Sequence, residues 1–414
     1  MMRSIFLTLA GALLLCAQKP DSAAVLKMSA KPAAPDFQKA LEATFTPQQL
    51  EKGEASLAVG ADSLYAIKAA KAPQLFVDDA PAGAMKKAGA YFVGTAKLPL
   101  YTSHTYHYLV DGKRFGGKLD VMAFGPEAYE QPGVPQGKLS EKFTTASKLY
   151  AGMATEYWVY VPAQYDARTP APVMIWQDGQ GYASRTAANR TLIQIDNLVH
   201  QKRMPAAIHV FIAPGKTGAQ AMRSVLYDTF NDKYTRYLLD EILPEVSAKW
   251  NLRKDGYSRA ITGGSSGGIC AFTAAWFHPE EFTRVYSRIG SFTSIQWKPG
   301  ELDGGNVIPF AIRKQPKRNI RVFSSDGSED LENNHGSWPL QNIQMANSLK
   351  MLEYDFHFNW GNGAHSGSQG NAELPVALTW IWRGYDPAKT SETFTMDPAE
   401  KDKPYFRVKA LNRN

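Results

Sequence analysis

The stretch Ile261-Thr262-Gly263-Gly264-Ser265-Ser266-Gly267-Gly268-Ile269 constrains this chain more than any other. A β-prone apolar run leads in, and Cys270-Ala271-Phe272-Thr273-Ala274-Ala275-Trp276-Phe277 leads out with helical character. Strand, glycine turn, serine, helix is the layout of a nucleophile elbow, which lifts a serine Oγ clear of a sheet on a strained turn. Small residues on both sides let the strand and helix backbones approach. The helix N-terminus then aims N–H groups at the serine, where they would stabilise an oxyanion. Two registers fit: Gly263-Gly264-Ser265-Ser266-Gly267 centres on Ser265, and Gly264-Ser265-Ser266-Gly267-Gly268 centres on Ser266. Periodicity does not choose between them. A phosphate cradle is the alternative, but a Walker loop would carry a lysine before Ser or Thr, and this stretch has none.

A chain of 414 residues is long enough for two domains. Its 44% hydrophobic and 21% charged content is that of a folded globular protein. The net charge of +7 is scattered in short clusters such as Lys86-Lys87, not gathered into the basic, aromatic-interleaved face that nucleic acid requires. Met1-Met2-Arg3-Ser4 followed by the apolar residues 5–15 reads as a secretory signal, too short to span a bilayer. Cleavage would follow Ala17 or Ala24. Leu15 stands where a lipobox wants a small residue before Cys16, so no lipoprotein anchor is expected. No later run is long and apolar enough to cross a membrane, and the mature protein is expected in the periplasm or medium. Of the 2 cysteines, Cys16 leaves with the signal and Cys270 reads as a small packed hydrophobe, so no intramolecular disulfide is expected.

Breaks in pattern divide the chain. The expected segments are a signal and start of tether at 1–24, a linker at 25–44 and a β-rich domain at 45–130. A Gly/Pro-rich linker at 131–146, an α/β domain at 147–390 and a polar tail at 391–414 complete the chain. In the β-rich part, Thr105-Tyr106-His107-Tyr108-Leu109-Val110, Asp111-Gly112 and Lys113-Arg114-Phe115 read as a hairpin. Several short strands there suggest a small β-sandwich. His104 and His107 belong to that hairpin and lack the Cys or acidic neighbours of a metal site. From residue 147 on, strands alternate with helices, including one long amphipathic helix over 230–246, which argues for a mostly parallel sheet covered on both faces.

In such sheets, chemistry gathers at the carboxyl ends of the strands. After the strand at 320–324 comes Ser325-Asp326-Gly327-Ser328-Glu329-Asp330, and after that at 354–360 comes Gly361-Asn362-Gly363-Ala364-His365-Ser366-Gly367. Serine, acid and histidine follow in that order. A serine hydroxyl needs a neutral imidazole to take its proton, and a carboxylate must fix the imidazole's tautomer. His365 is the candidate base, with His335 as its competitor. His209 and His357 lie within strands, and His200 and His278 end helices. Asp330, Asp326 and Glu329 compete as the acid. No metal motif is recognisable, and neither a metal nor an organic cofactor is expected.

These blocks resemble the enterochelin-esterase-like branch of the α/β-hydrolases, with esterase D and carbohydrate esterase family 1. That branch's G-x-S-x-G-G elbow matches Gly263-Gly264-Ser265-Ser266-Gly267-Gly268 and implies Ser265 as nucleophile. Its G-x-x-D block matches Gly327-Ser328-Glu329-Asp330 and implies Asp330, and Gly363-Ala364-His365 matches its histidine turn. The Asp178-Gly179-Gln180 turn resembles the branch's oxyanion segment, implying the amides of Gln180 and Ser266 as the oxyanion hole. Arg223-Ser224 also resembles a block of the branch, with Arg223 either binding substrate or holding a loop by a salt bridge. Asp178 and Trp338 join Arg223 as substrate-binding candidates. The resemblance runs over about 148–383 and implies an α/β-hydrolase preceded by an immunoglobulin-like β-sandwich. It implies a serine esterase acting on feruloyl- or acetyl-type polysaccharide esters or on a siderophore trilactone. An inert carbohydrate-binding scaffold is the reading from another class.

Overall fold

A computed structural model describes residues 21–407. The signal sequence, with Cys16 and the Ala17 cleavage candidate, lies outside the described residues, as does the end of the tail from 408. Three helices come first: α1 (Ser22–Met28), α2 (Pro35–Thr44) and α3 (Pro47–Glu51). Most of the expected tether is therefore helical. Its Ala, Lys and Pro content masks an apolar stripe, Phe37, Leu41 and Phe45, at helical spacing, which is buried together with Val25.

Eight strands come next: β1 (Ala55–Val59), β2 (Asp62–Ile67), β3 (Gln74–Val77), β4 (Ala80–Ala84), β5 (Lys86–Ala88), β6 (Tyr91–Lys97), β7 (Thr102–Val110) and β8 (Lys113–Ala123). They form two antiparallel sheets, in the orders β1-β2-β6-β5 and β4-β3-β7-β8. Tyr65, Ile67, Leu75, Tyr106, Tyr108 and Val121 fill the space between them. The three helices cover the other face of β2 and β6 through Leu64, Ala66 and Val93. The β7–β8 hairpin turns at Asp111 and Gly112, both at positive φ (49° and 76°), as a two-residue turn between twisted strands requires.

The second half is built on one large sheet. Its strands are β9 (Lys138–Leu139), β10 (Phe143–Ala146), β11 (Met153–Val161), β12 (Val173–Gln177), β13 (Ile208–Ile212), β14 (Lys216–Thr217), β15 (Gln220–Ala221), β16 (Arg259–Gly264), β17 (Arg284–Arg288) and β18 (Arg321–Glu329). A short ribbon of β19 (Glu332–Asn333) and β20 (Gly336–Ser337) stands apart, and β21 (Asp355–Ala364) closes the sheet. The order β13-β12-β16-β17-β18-β21 is parallel throughout, and β11 joins β13 antiparallel. Residues expected as the second linker pair with β11 as β9 and β10.

Helices cover both faces. On one lie α4 (Thr191–His200) and α11 (Ser368–Ile381), packed on Trp176, Phe211, Tyr286 and Phe323. On the other lie α6 (Lys233–Tyr237), α7 (Leu243–Ser247), α8 (Ser266–Phe277), α9 (Ile308–Lys314) and α10 (Trp338–Met351). The short α5 (Arg223–Tyr227) packs beside α8, and α12 (Pro398–Lys401) is the last described element. The helix expected over 230–246 is interrupted by a wide π turn at Leu238–Ile242. Pro244 has no N–H to give and its ring crowds the preceding turn, which the wider turn relieves. The C-terminal segment is docked as well: Phe394 is buried, with the Arg321 and Arg284 guanidiniums 4.6 and 5.2 Å from its ring centre.

The halves meet through a small apolar cluster, Phe124, Ala128 and Ala372, and through polar groups. Asn197 Nδ2 donates to the carbonyls of Glu127 and Tyr129 at 2.7 and 2.9 Å, and Arg185 pairs with Glu130 at 2.8 Å. Strands β7 and β8 pack against β21 and α11. That contact sets the N-terminal half beside the sheet's carboxyl edge. No described helix is long and apolar enough to cross a membrane.

Candidate active site

Strand β16 ends at Gly264, and α8 begins at Ser266. Between them Ser265 takes φ 57° and ψ −123°, a conformation that costs a non-glycine residue about 1–3 kcal/mol and persists only where the surroundings enforce it. The surroundings are tight. A Cβ on Gly263 would lie 2.4 Å from the Gly267 carbonyl carbon. The Ser265 N–H donates to the Arg288 carbonyl at 2.9 Å. This turn pushes the Ser265 side chain off the sheet, while Ser266 becomes the buried first residue of α8.

Asp330 follows β18 and His365 follows β21. The two strands run in register until an irregularity at Gly327/Glu329, where the backbones crowd so closely that a Cβ on Gly327 would lie 2.2 Å from the Gly363 nitrogen. The result is one chain of hydrogen bonds: His365 Nδ1 to Asp330 Oδ1 at 2.5 Å and His365 Nε2 to Ser265 Oγ at 2.7 Å. The Asp330 carboxylate is shut off from solvent and also accepts from the Leu331 N–H at 2.6 Å. Of the two serines, it is Ser265 that meets His365. Ser266 Oγ instead accepts from Arg223 Nη1 at 2.9 Å.

The other candidates lie elsewhere. His335 sits at the tip of the β19–β20 ribbon, its carbonyl held by Ser294 Oγ at 2.8 Å. Glu329 is exposed. Asp326 is buried against Asp330, not against His365; burial first, and the neighbouring carboxylate second, push its pKa well above the ordinary value. His209 accepts from Trp176 Nε1 at 3.0 Å, and complete burial lowers its pKa to about 3. Trp338 is buried. Its indole meets the His365 ring edge-on at 5.4 Å, and its Nε1 donates to Ser291 Oγ at 3.1 Å, so it supports the site from within.

The turn after β12 lies against the elbow, where a Cβ on Gly267 would come within 3.2 Å of Asp178 Oδ2. Asp178 takes φ 54°, and a Cβ on Gly179 would lie 2.1 Å from the Ile212 nitrogen, so no larger residue fits there. Arg223, at the start of α5, ties this turn to the elbow: Nε and Nη2 reach Asp178 Oδ1 and Oδ2 at 2.7 and 2.8 Å. Burial opposes the arginine's charge, but the Asp178 carboxylate outweighs it and raises the pKa. The guanidinium is thus engaged in the loop-holding role. Among the described residues, neither the Gln180 nor the Ser266 N–H finds a loop or side-chain acceptor in the protein, as expected for amides at the first turn of a helix.

Sequence reasoning passed over Ser291, whose Oγ lies 3.1 Å from Ser265 Oγ. The signal was available, because Ser291 follows the carboxyl end of β17 as Asp330 and His365 follow theirs.

A mostly parallel sheet covered by helices, with a strained serine at a strand–helix turn and a histidine and an aspartate after later strands, defines an α/β-hydrolase. The chain belongs to the Esterase family, whose model matches residues 151–381. The iron(III) enterobactin esterase of Dickeya dadantii (strain 3937) is 24% identical over 247 residues, 56% of this chain and 53% of that protein. The chain thus matches about half the length of that relative. Among solved structures, the enterobactin esterase of Shigella flexneri with 2,3-di-hydroxy-N-benzoyl-serine superposes with a TM-score of 0.55 at 14% identity, over 81% of this chain and 97% of the other. The ferric enterobactin esterase of Salmonella typhimurium gives 0.54 at 15%, over 78% and 93%. At these identities the structural likeness concerns the fold.

Proposed function

We propose that this protein is an exported serine esterase that cleaves carboxylic esters through an acyl-enzyme. The observation that carries the reading is the unbroken Asp330–His365–Ser265 hydrogen-bond chain ending on a strained serine. His365 Nε2 takes the proton of Ser265 Oγ as the oxygen attacks the ester carbonyl, while Asp330 holds the imidazole's tautomer and stabilises the imidazolium. The Gln180 and Ser266 amides meet the developing oxyanion, each worth about 3 kcal/mol of barrier. His365 then protonates the leaving alcohol, and a water, activated by the same imidazole, releases the acid.

The substrate reading is a feruloyl- or acetyl-type ester on a polysaccharide, which suits an exported enzyme. Exposed apolar side chains support an aromatic acyl group: Leu331 follows Asp330, Val225 lies two residues after Arg223, and Trp297 follows Gln296, whose Nε2 donates to Ser224 Oγ at 2.9 Å. The enterobactin-esterase relatives favour a second reading, a catecholate siderophore trilactone. The apolar stretch at residues 5–15 supports export. The orders β1-β2-β6-β5 and β4-β3-β7-β8 support reading the N-terminal sheets as an immunoglobulin-like sandwich.

A fluorophosphonate probe tests the reading directly. The native protein should be labelled on Ser265, and Ser265→Ala should not. Lack of labelling would establish an inert scaffold instead. Turnover of feruloyl, acetyl, glucuronoyl and catecholate esters then separates the two substrate readings.

A further inference from the structure

Ser265 Oγ has a second neighbour besides His365. Ser291 Oγ lies 3.1 Å from it and is itself 3.1 Å from Trp338 Nε1. An indole N–H only donates, so Ser291 Oγ accepts from Trp338 and its own hydrogen is free to point at Ser265 Oγ. The Ser265 hydrogen in turn faces His365 Nε2. The donors therefore run in one direction, Trp338 to Ser291 to Ser265 to His365. Ser291 is held firmly in this place. It is 1% exposed, its N–H donates to the Ser265 carbonyl at 3.1 Å, and Asn342 Nδ2 grips the Gly290 carbonyl at 2.9 Å. Ile289 takes a left-handed φ of 41°, so the loop is bent to carry Gly290 and Ser291 in toward the elbow.

We propose that Ser291 is a catalytic residue whose hydroxyl hydrogen-bonds Ser265 Oγ as that oxygen departs from the acyl group, and that it speeds breakdown of the acyl-enzyme. The proposal rests on the serine esterase reading above. In deacylation a water oxygen adds to the acyl carbon, His365 Nε2 takes the water's proton, and the carbonyl π pair moves onto oxygen. On collapse that pair re-forms the carbonyl. The C–Oγ bond breaks with its electrons going to Ser265 Oγ, and His365 Nε2–H returns the proton to Oγ.

Over that step Oγ changes from an ester oxygen, whose lone pair is shared with the carbonyl, into an alkoxide-like oxygen. An ester oxygen accepts hydrogen bonds poorly, and an oxygen gathering charge accepts them well. The Ser291 hydrogen bond is thus stronger in the transition state than in the acyl-enzyme, the condition for accelerating a step. Acylation begins from a free hydroxyl oxygen that already accepts this bond, so the gain there is small.

The test is Ser291→Ala on a p-nitrophenyl ester, with Ser291→Thr as the variant that keeps the hydroxyl. Decay of the acyl-enzyme is followed by intact-protein mass after excess substrate is removed. In Ser291→Ala it should slow about tenfold, the worth of one partly charge-assisted hydrogen bond. kcat/KM and the rate of fluorophosphonate labelling should stay near wild type, with KM falling alongside kcat, and Ser291→Thr should restore the decay rate. A purely structural role would lower kcat/KM and labelling together with kcat. That outcome, or an unchanged decay rate, overturns the proposal. If instead no acyl-enzyme or labelled Ser265 is found in the wild type, the esterase reading itself has failed.

Discussion

Arg223 grips both oxygens of Asp178, with Nε and Nη2 at 2.7 and 2.8 Å, and extends Nη1 to Ser266 Oγ at 2.9 Å. One planar guanidinium thereby sets the distance between the two turns that carry the Gln180 and Ser266 amides. Lysine can supply the charge but not this three-way fork. Arg223→Lys should lower kcat by about 10²-fold, the scale of one misplaced oxyanion donor, with little change in KM. Steady-state kinetics beside a thermal melt checks this. A large rise in KM at constant kcat would instead place the arginine on the substrate.

Asp326 and Asp330 form a buried carboxyl pair in which the Oδ2 of each lacks any other protein partner. Burial and the neighbouring Asp330 carboxylate push the Asp326 pKa well up, which favours its protonated form, able to donate to Asp330. Unfolded, it ionises near pH 3.9. Above that value the unfolded state binds fewer protons than the folded one, so this contribution to stability falls as pH rises through the folded pKa. Asp326→Asn keeps an N–H for Asp330 and removes the ionisation. It should flatten the loss of Tm as pH rises above about 4, while leaving kcat near wild type. Asp330→Asn, by contrast, should reduce kcat by about 10⁴ through the wrong imidazole tautomer. Melting curves and initial rates across pH measure both.

Much of this site was legible because its backbone demands are severe. Gly263, Gly179 and Gly327 stand where a Cβ would strike main chain, and glycines at such points mark a turn in any sequence. The order serine, acid, histidine after successive strands was equally readable. Ser265 and Ser266 could not be separated locally, because both sit in the same glycine run. What separates them is a strained φ and a histidine 100 residues away. Asp326 and Asp330 flank a strand irregularity at Gly327/Glu329, and a bulge that re-aims side chains has no simple period. Trp338, a substrate-binding candidate by sequence, is instead buried beside His365, a placement set by tertiary packing. In the N-terminal helices, a tether-like composition conceals the helical spacing of Phe37, Leu41 and Phe45.

The N-terminal half reaches the histidine loop through Asp78. Its carboxylate accepts from the Thr105 N–H at 2.9 Å, pairs with His104 Nδ1 at 2.6 Å and meets the side chain of Asn362, three residues before His365. Burial opposes both charges. Their mutual hydrogen bond and charge attraction, joined by the Thr105 N–H and Asn362 at Asp78 and by the Pro99 carbonyl at His104, together outweigh it, lowering the pKa of Asp78 and raising that of His104. Stability from His104 is complete below its unfolded pKa of about 6.5 and is lost as pH rises through the folded value. Stability from Asp78 is present above about 3.9 and is lost as pH falls through its folded value. The Tm difference between wild type and Asp78→Asn should therefore be widest at pH 4–6.5 and narrow above it. A difference that is flat across pH would remove the ion pair from the account.

Trp297 is 48% exposed although its neighbour Gln296 is anchored to Ser224 Oγ at 2.9 Å. An exposed indole one residue beyond that anchor can stack on flat aromatic groups, and aromatic stacking of this kind is worth about 0.5–1.5 kcal/mol beyond buried area. Trp297→Ala should raise KM for a feruloyl or catecholate ester by about tenfold, combining stacking with lost apolar contact. KM for a plain acetyl ester, too small to reach the ring, should change little. Stability should hardly move, since the side chain is half in solvent. Equal effects on aryl and acetyl esters would show that Trp297 makes no aryl-specific contact, and would shift the preferred substrate toward small acyl groups.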